Sequence, residues 1–277
     1  MLACDAVPKR RIVARAPKPV TIRATRPNLG IETEYKRRLD DLVAEMQKSL
    51  EYWLTAAYRA NEPRIAQDAT PAIQLQRAFN RLAKRWQRRI DDLAPRLARW
   101  FATATYRRTQ AGMEKALKDA GWTVKFDPTP TKTDIFRATI NENVSLIRSI
   151  ASEHLSDVEQ IVMRSVTQGR DMGALTKALQ ERFGITKRRA ALISRDQSSK
   201  ATAAINRAQQ QELGITTAIW RHSSAGKHPR PEHVAANGKE YPVDKGMFLE
   251  GVWTWPGVEI NCRCVSVSVL NRAGKQR

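Results

Sequence analysis

Apolar residues recur every three or four positions over most of the chain, the spacing that sets side chains on one stripe of an α-helix. Tyr35, Leu39, Leu42, Met46, Leu50, Trp53 and Ala57 form a first stripe; Leu75, Phe79, Leu82, Trp86, Ile90 and Leu93 form a second. At roughly 100° per residue the second six fall within about 80° of arc. Arg77, Arg81, Lys84 and Arg88 cluster in the opposite direction. Pro95 predicts the start of a further helix through Leu97, Phe101 and Ala104 to Leu117, stopped by Gly121. A strand-like piece, Trp122 to Phe126, leads into a linker around Pro128 and Pro130. Asp134 is the expected cap of a long helix with the stripe Phe136, Ile140, Val144, Ile147, Ala151, Val158 and Ile161, ending near Gly169. Asp171 then caps a short helix (Leu175, Leu179, Phe183) closed by Gly184, and Thr186 caps another that runs to about Glu212, with Gly214 as its stop.

After Gly214 the period shortens to two. Ala218, Trp220 and His222 alternate with Thr217, Ile219 and Arg221, as in a half-buried strand. A turn-rich loop follows, with Gly226, Pro229, Pro231 and Gly238, then a second one with Trp253, Trp255, Pro256 and Gly257. The chain then runs through Cys262-Arg263-Cys264 into the alternating Val265, Val267 and Val269. The expected fold class is therefore mainly α, of long amphipathic helices, with a small α+β, His/Cys-containing C-terminal module. The expected organisation is a basic disordered arm at 1–30, a helical N-terminal domain with a basic face at 31–127, a linker at 128–133 and a second domain at 134–277. Helices fill 134–213 of that second domain, and a small β-rich module fills 214–270.

Composition narrows the class. At 277 residues and 42% hydrophobic the chain can bury a substantial core, and no stretch approaches the ~20 apolar residues of a membrane-spanning helix. Cys4 has too few residues ahead of it to end a signal peptide, so the protein is expected to be made and kept in cytoplasm. Three cysteines make no disulfide framework, which suits a reducing compartment.

Charge changes the picture more. With 48 Lys+Arg against 28 Asp+Glu, the net charge is +20. It is patterned: +6 over residues 1–30, −2 over 31–70, +8 over 71–121, neutral over 122–185 and +8 over 186–277. Arg10, Arg11, Arg15, Lys18 and Arg23 lie in the first block, which has four prolines and no helical period, and reads as an arm laid on nucleic acid or a solvated tail. The face made by Arg77, Arg81, Lys84 and Arg88 carries almost no acid to pair with. Phosphate contact, solvent and an acidic partner surface are the three readings of it. DNA binding through it would be salt-dependent and blind to sequence.

Three of the four histidines and two of the three cysteines fall in the last 56 residues. Cys262 and Cys264 sit two apart, so on a strand both thiols point to one face. Imidazole and thiolate suit tetrahedral zinc, and His222 or His228 with His233, Cys262 and Cys264 form the candidate set for a structural zinc. The alternative is packing: small buried thiols and satisfied histidines. A catalytic alternative makes His222 the base of a metal-dependent nuclease, with His233 and Asn237 as ligands. The usual nucleotide, esterase and zinc-protease motifs are missing, so no enzyme is expected.

Several runs, in order, resemble the phage head morphogenesis family, the Mu F-like minor head proteins of tailed bacteriophages. They are NVSLIRSI at 143–150, GRDMGALTKALQERFGITKRRAALISRDQ at 169–197, the segment Lys200 to Arg207, WRHSSAGKHPRPEHVAANGK at 220–239 and WPGVEINCRC at 255–264. The likeness covers roughly residues 130–270, and Arg195, Asp196, Trp220, Gly226, Pro231 and Asn261 are among the motif positions carried over. It implies a low-copy capsid-interior component, located in the virion and in the host cytoplasm during assembly. Its implied partners are the portal protein and phage genomic DNA, with scaffold or major capsid protein as further candidates and no membrane. Arg195 and Asp196 point about 100° apart on a helix and are expected to enter a buried ion-pair network with the C-terminal module.

Overall fold

A computed structural model describes residues 19–60, 70–167, 172–224 and 228–270. Arg10, Arg11, Arg15, Lys18 and Gly226, with most of the expected arm, lie outside them. Four long helices dominate: α1 (Leu29–Ala60), α2 (Thr70–Asp119), α3 (Pro130–Thr167) and α4 (Met172–Glu212). They run alternately up and down. Tyr35 stacks on Phe101 while Glu45 pairs with Arg89, so α1 and α2 are antiparallel. Asp91–Arg148 and Gln76–Glu159 set α3 against α2 in the same way, and Asn143–Gln197 and Asp157–Arg182 set α4 against α3.

The buried stripes of all four helices meet in one core that includes Leu39, Leu50, Phe79, Ile90, Phe101, Ile147, Val158, Leu179 and Ala190. That core crosses the expected boundary at 128–133, so the helices of 31–127 and 134–213 form one bundle. On α1 the buried row ends on Leu54 and Tyr58, and Trp53 is exposed. A helix of 3.6 residues per turn drifts against a strict three-four alternation, and the stripe follows the drift.

Local punctuation was overridden in several places. Pro95 opens no new helix; it lies inside the unbroken α2, on its exposed side, between the buried Ala94 and Ala98. Gly184 likewise lies inside α4, and Thr186 is not a cap. Its hydroxyl donates to the Arg182 carbonyl in the preceding turn. The 128–133 linker is mostly helix. Pro130 starts α3, the Lys132 amide donates to Thr129 Oγ1, and Thr129 rather than Asp134 acts as the cap. Residues 122–126 form no strand, although Phe126 is buried. At α1 the Asn28 side chain accepts the Ile31 amide as N-cap.

The C-terminal module holds a four-stranded antiparallel sheet in the order β1 (Val20–Thr21), β6 (Val265–Leu270), β2 (Thr217–Arg221), β3 (Glu240–Pro242). A separate hairpin joins β4 (Met247–Leu249) to β5 (Val252–Thr254), and a five-residue helix α5 (Pro231–Ala235) sits in the loop after β2. The expected arm is thus shorter than 1–30: Val20 pairs with Leu270, Ile22 is buried, and Arg23 stays exposed. Ile22 packs with Met113, Leu117 and Phe126, next to Leu213 and Leu270, and this small cluster joins sheet to bundle. At the same junction Gln210 of α4 donates to both Ser266 and Ser268 of β6.

Candidate functional site

Trp220 is the centre of the module. Alternation along β2 turns Ala218 and Trp220 inward, and the fully buried indole meets His233 edge-on at 5.1 Å and Tyr241 at 6.2 Å between ring centroids. Pro231 opens α5 with the φ a helix start needs, and one turn brings the buried His233 over the core. From the other side comes the turn before β6. Asn261 adopts φ 61°, a left-handed conformation that asparagine tolerates, and its amide donates to Asp196 Oδ1 of α4 at 2.9 Å. This bond anchors the turn and turns Cys262 and Cys264 inward, where both are buried free thiols.

The three side chains converge. His233 Nδ1 lies 3.5 Å from Cys262 Sγ and 3.8 Å from Cys264 Sγ, and all three potential ligand atoms fall within 4.8 Å of one another. The other ring nitrogen, Nε2, faces Glu259 Oε1 at 3.4 Å, and Glu259 also meets Arg230. The Gly257 amide donates to Cys262 Sγ at 3.3 Å. A hydrogen bond from the Cys264 thiol is the main reason that Cys262 is held down to about 6, against the opposing effect of burial. Cys264 is pushed up because its proton is held by Cys262 and because it is buried, while the Trp220 indole N–H and the Ser223 amide favour its thiolate. One negative charge is thus shared between two sulfurs. The set can bind a soft divalent metal or, without one, keep a reactive thiolate away from bulk water.

His222 and His228 do not join this cluster. They line the cleft of about 680 Å³ into which it opens, together with Arg195, Arg230 and Arg263. The His222 ring nitrogen Nδ1 accepts the Ser224 amide, and the Asn237 side chain accepts the His222 amide. Asn237 is therefore a brace for the strand end. Asp196 links α4 to the module by accepting a hydrogen bond from the Asn261 amide and not through the expected ion-pair network, since its ion pair, to Lys200 at 2.8 Å, stays within α4. Arg195 has no ion pair among the described residues and lines the cleft instead. Glu259 was missed from the sequence, where a lone acid three residues before a cysteine carries no recognisable signal. Arg207, stacked 4.1 Å over the Trp255 ring, supports the same module from α4.

On α2 the outward row is as expected. Arg77, Arg81, Lys84 and Arg88 are all exposed, and none has an acidic partner among the described residues, although the neighbouring Arg89 pairs with Glu45. No helix among the described residues is long and apolar enough to cross a membrane.

A family model described as "Phage Mu protein F like protein" matches residues 156–267, from the second half of α3 to β6. A protein of Haemophilus influenzae, described as an uncharacterized protein, is 35% identical over 150 residues, which is 51% of this chain and 31% of that relative. The chain thus spans about a third of the length of the curated relative it matches. No solved structure matches. The matched stretch holds α4, the Asp196–Asn261 anchor and the whole His233–Cys262–Cys264 cluster, and over it the chain is similar to the phage Mu protein F-like family.

Proposed function

We propose that this protein is a phage head morphogenesis protein, a non-enzymatic minor head component that works inside the capsid by binding packaged DNA and the portal. The family match gives the setting, and one structural observation carries the mode of action. Four exposed cations stand in a row on one face of α2 with no ion-pair partner among the described residues. Unpaired like charges a turn apart repel one another, and a phosphate backbone or an acidic protein surface relieves that repulsion. Residues 1–18 add five basic residues and one acid at the chain's N-terminal end.

The test is duplex DNA binding by the full chain at several salt concentrations. Arg77→Gln, Arg81→Gln, Lys84→Gln and Arg88→Gln combined should weaken binding and flatten the log–log salt dependence, by roughly 0.9 for each phosphate that is no longer neutralised. An unchanged slope would remove DNA from this face. Portal binding or plain solvation of the row is then left, and pull-down with the portal protein separates the two. The arm is tested by removing residues 1–18 only, because removal to residue 30 would also delete β1. Its loss should lower affinity and slope together.

A further inference from the structure

We propose that His233 Nδ1 and the Sγ atoms of Cys262 and Cys264 bind one zinc ion, with the fourth tetrahedral position open to the cleft lined by His222, His228 and Arg195. Bonds of about 2.3 Å to sulfur and about 2.0–2.1 Å to nitrogen at tetrahedral angles put nitrogen and sulfur ligands about 3.6 Å apart. The two distances here are 3.5 and 3.8 Å. All three ligand atoms lie within 4.8 Å of one another, so a single ion can reach them together.

The surroundings are those of a metal site as well. Glu259 Oε1 lies 3.4 Å from the outer nitrogen of His233, on the side from which a carboxylate orients a metal-bound imidazole. The Gly257 amide donates to Cys262 Sγ at 3.3 Å, and the buried Trp220 indole N–H has no hydrogen-bond partner among the described residues. Donors aimed at sulfur stabilise thiolates, the form that ligates. Two sulfurs and one imidazole select zinc over magnesium or calcium, which take oxygen ligands. A direct Cys262–Cys264 disulfide would need a strained ring across a single intervening residue. The ion would tie α5 to the Cys262–Cys264 segment just before β6, at the edge of the basic cleft.

The experiment is elemental analysis of the purified full chain, with cobalt(II) substitution. One zinc per chain is expected, and His233→Ala, Cys262→Ser and Cys264→Ser should each lose it. Cys4→Ser, His222→Ala and His228→Ala should keep it, and Glu259→Gln should weaken zinc affinity by about 10–100-fold. The cobalt form should show thiolate-to-metal charge transfer and the intense visible bands of a tetrahedral centre. Far-ultraviolet circular dichroism separates metal loss from unfolding, since the bundle has its own core. Metal-free protein that takes up no zinc, zinc retained by all three ligand variants, or a weak octahedral cobalt spectrum would each overturn the site. Loss of zinc in His222→Ala or His228→Ala would overturn the open fourth position.

Discussion

Tyr35 of α1 donates its phenol to Asn143 Oδ1 of α3 at 2.8 Å, in the middle of an otherwise apolar core. Asn143 in turn donates to Gln197 Oε1 of α4 at 2.9 Å, so three helices share one buried polar chain, and burial raises the Tyr35 phenol. Removing one partner strands the other in low dielectric. Tyr35→Phe should therefore cost about 1–3 kcal/mol in urea unfolding, with no change in helix content. A loss below about half a kcal/mol would mean that the bond contributes nothing net.

His154 sets an acid limit on the bundle. It is 0% exposed, and its Nδ1 lies 2.9 Å from Thr186 Oγ1. That hydroxyl also lies 3.1 Å from the Arg182 carbonyl, and the imidazole Nε2 is unpartnered among the described residues. Protonation would place a charge there, in a buried site. Burial, reinforced by the nearby Arg182 and opposed by Asp157, brings the group from 6.5 down to about 4. Below 6.5 the unfolded chain binds the proton more readily than the folded one. The stability this residue contributes is complete above about pH 6.5 and is lost as pH falls towards 4, by about 3 kcal/mol at most. His154→Leu should flatten the unfolding free energy across that window, as measured by denaturation at stepped pH.

Lys132 is 2% exposed, yet it is charged and fully engaged. Its ammonium pairs with Glu212 at the end of α4, donates to the Asp127 carbonyl at 2.7 Å and lies 4.8 Å from the Phe126 ring centroid. A cation here also suits the C-terminal end of the α4 dipole. Lys132→Met should destabilise by about 2 kcal/mol, less than a fully buried pair would lose because Glu212 is partly solvated. Global unfolding of the variant checks the figure, and a neutral result would mean that Glu212 is satisfied by water.

Gly246 and Gly251 make an internal control. Both adopt left-handed φ, of 85° and 82°. A Cβ on Gly246 would sit 2.4 Å from the Thr254 carbonyl oxygen, whereas one on Gly251 would meet nothing within 4 Å. Gly251→Ala should cost about 1 kcal/mol of backbone strain, and Gly246→Ala distinctly more. Tryptophan fluorescence on thermal unfolding reports both, since Trp253 and Trp255 flank Thr254. Equal losses would show that the backbone conformation alone decides.

The apolar stripes were legible because burial of one helix face imposes its period on the sequence, whatever the loops do. The helix ends were not. Pro95 and Gly184 are breakers by local propensity, but Ala94, Ala98 and Ala190 are buried in a shared core, and packing outweighs a missing amide or a flexible residue. Thr186 reads as a cap because threonine usually offers its hydroxyl to helix ends; here it serves the neighbouring turn and His154. The cluster was half legible. His233, Cys262 and Cys264 stood together in the expected set, but the sequence also offered His222 or His228 as a fourth ligand, and neither joins them. That choice is made by one turn of α5 and by the left-handed Asn261, neither of which has a periodicity to read.

Val20 opposite Leu270 has a consequence for the order of the chain. The described residues end beside where they start, so the described fold is topologically a ring fastened by the edge strand β1 and its neighbour β6. A short link between residues 19 and 270 would close that ring, and a new opening between α1 and α2 would leave every helix and strand whole. The fold depends on which segments are neighbours and not on which one is made first.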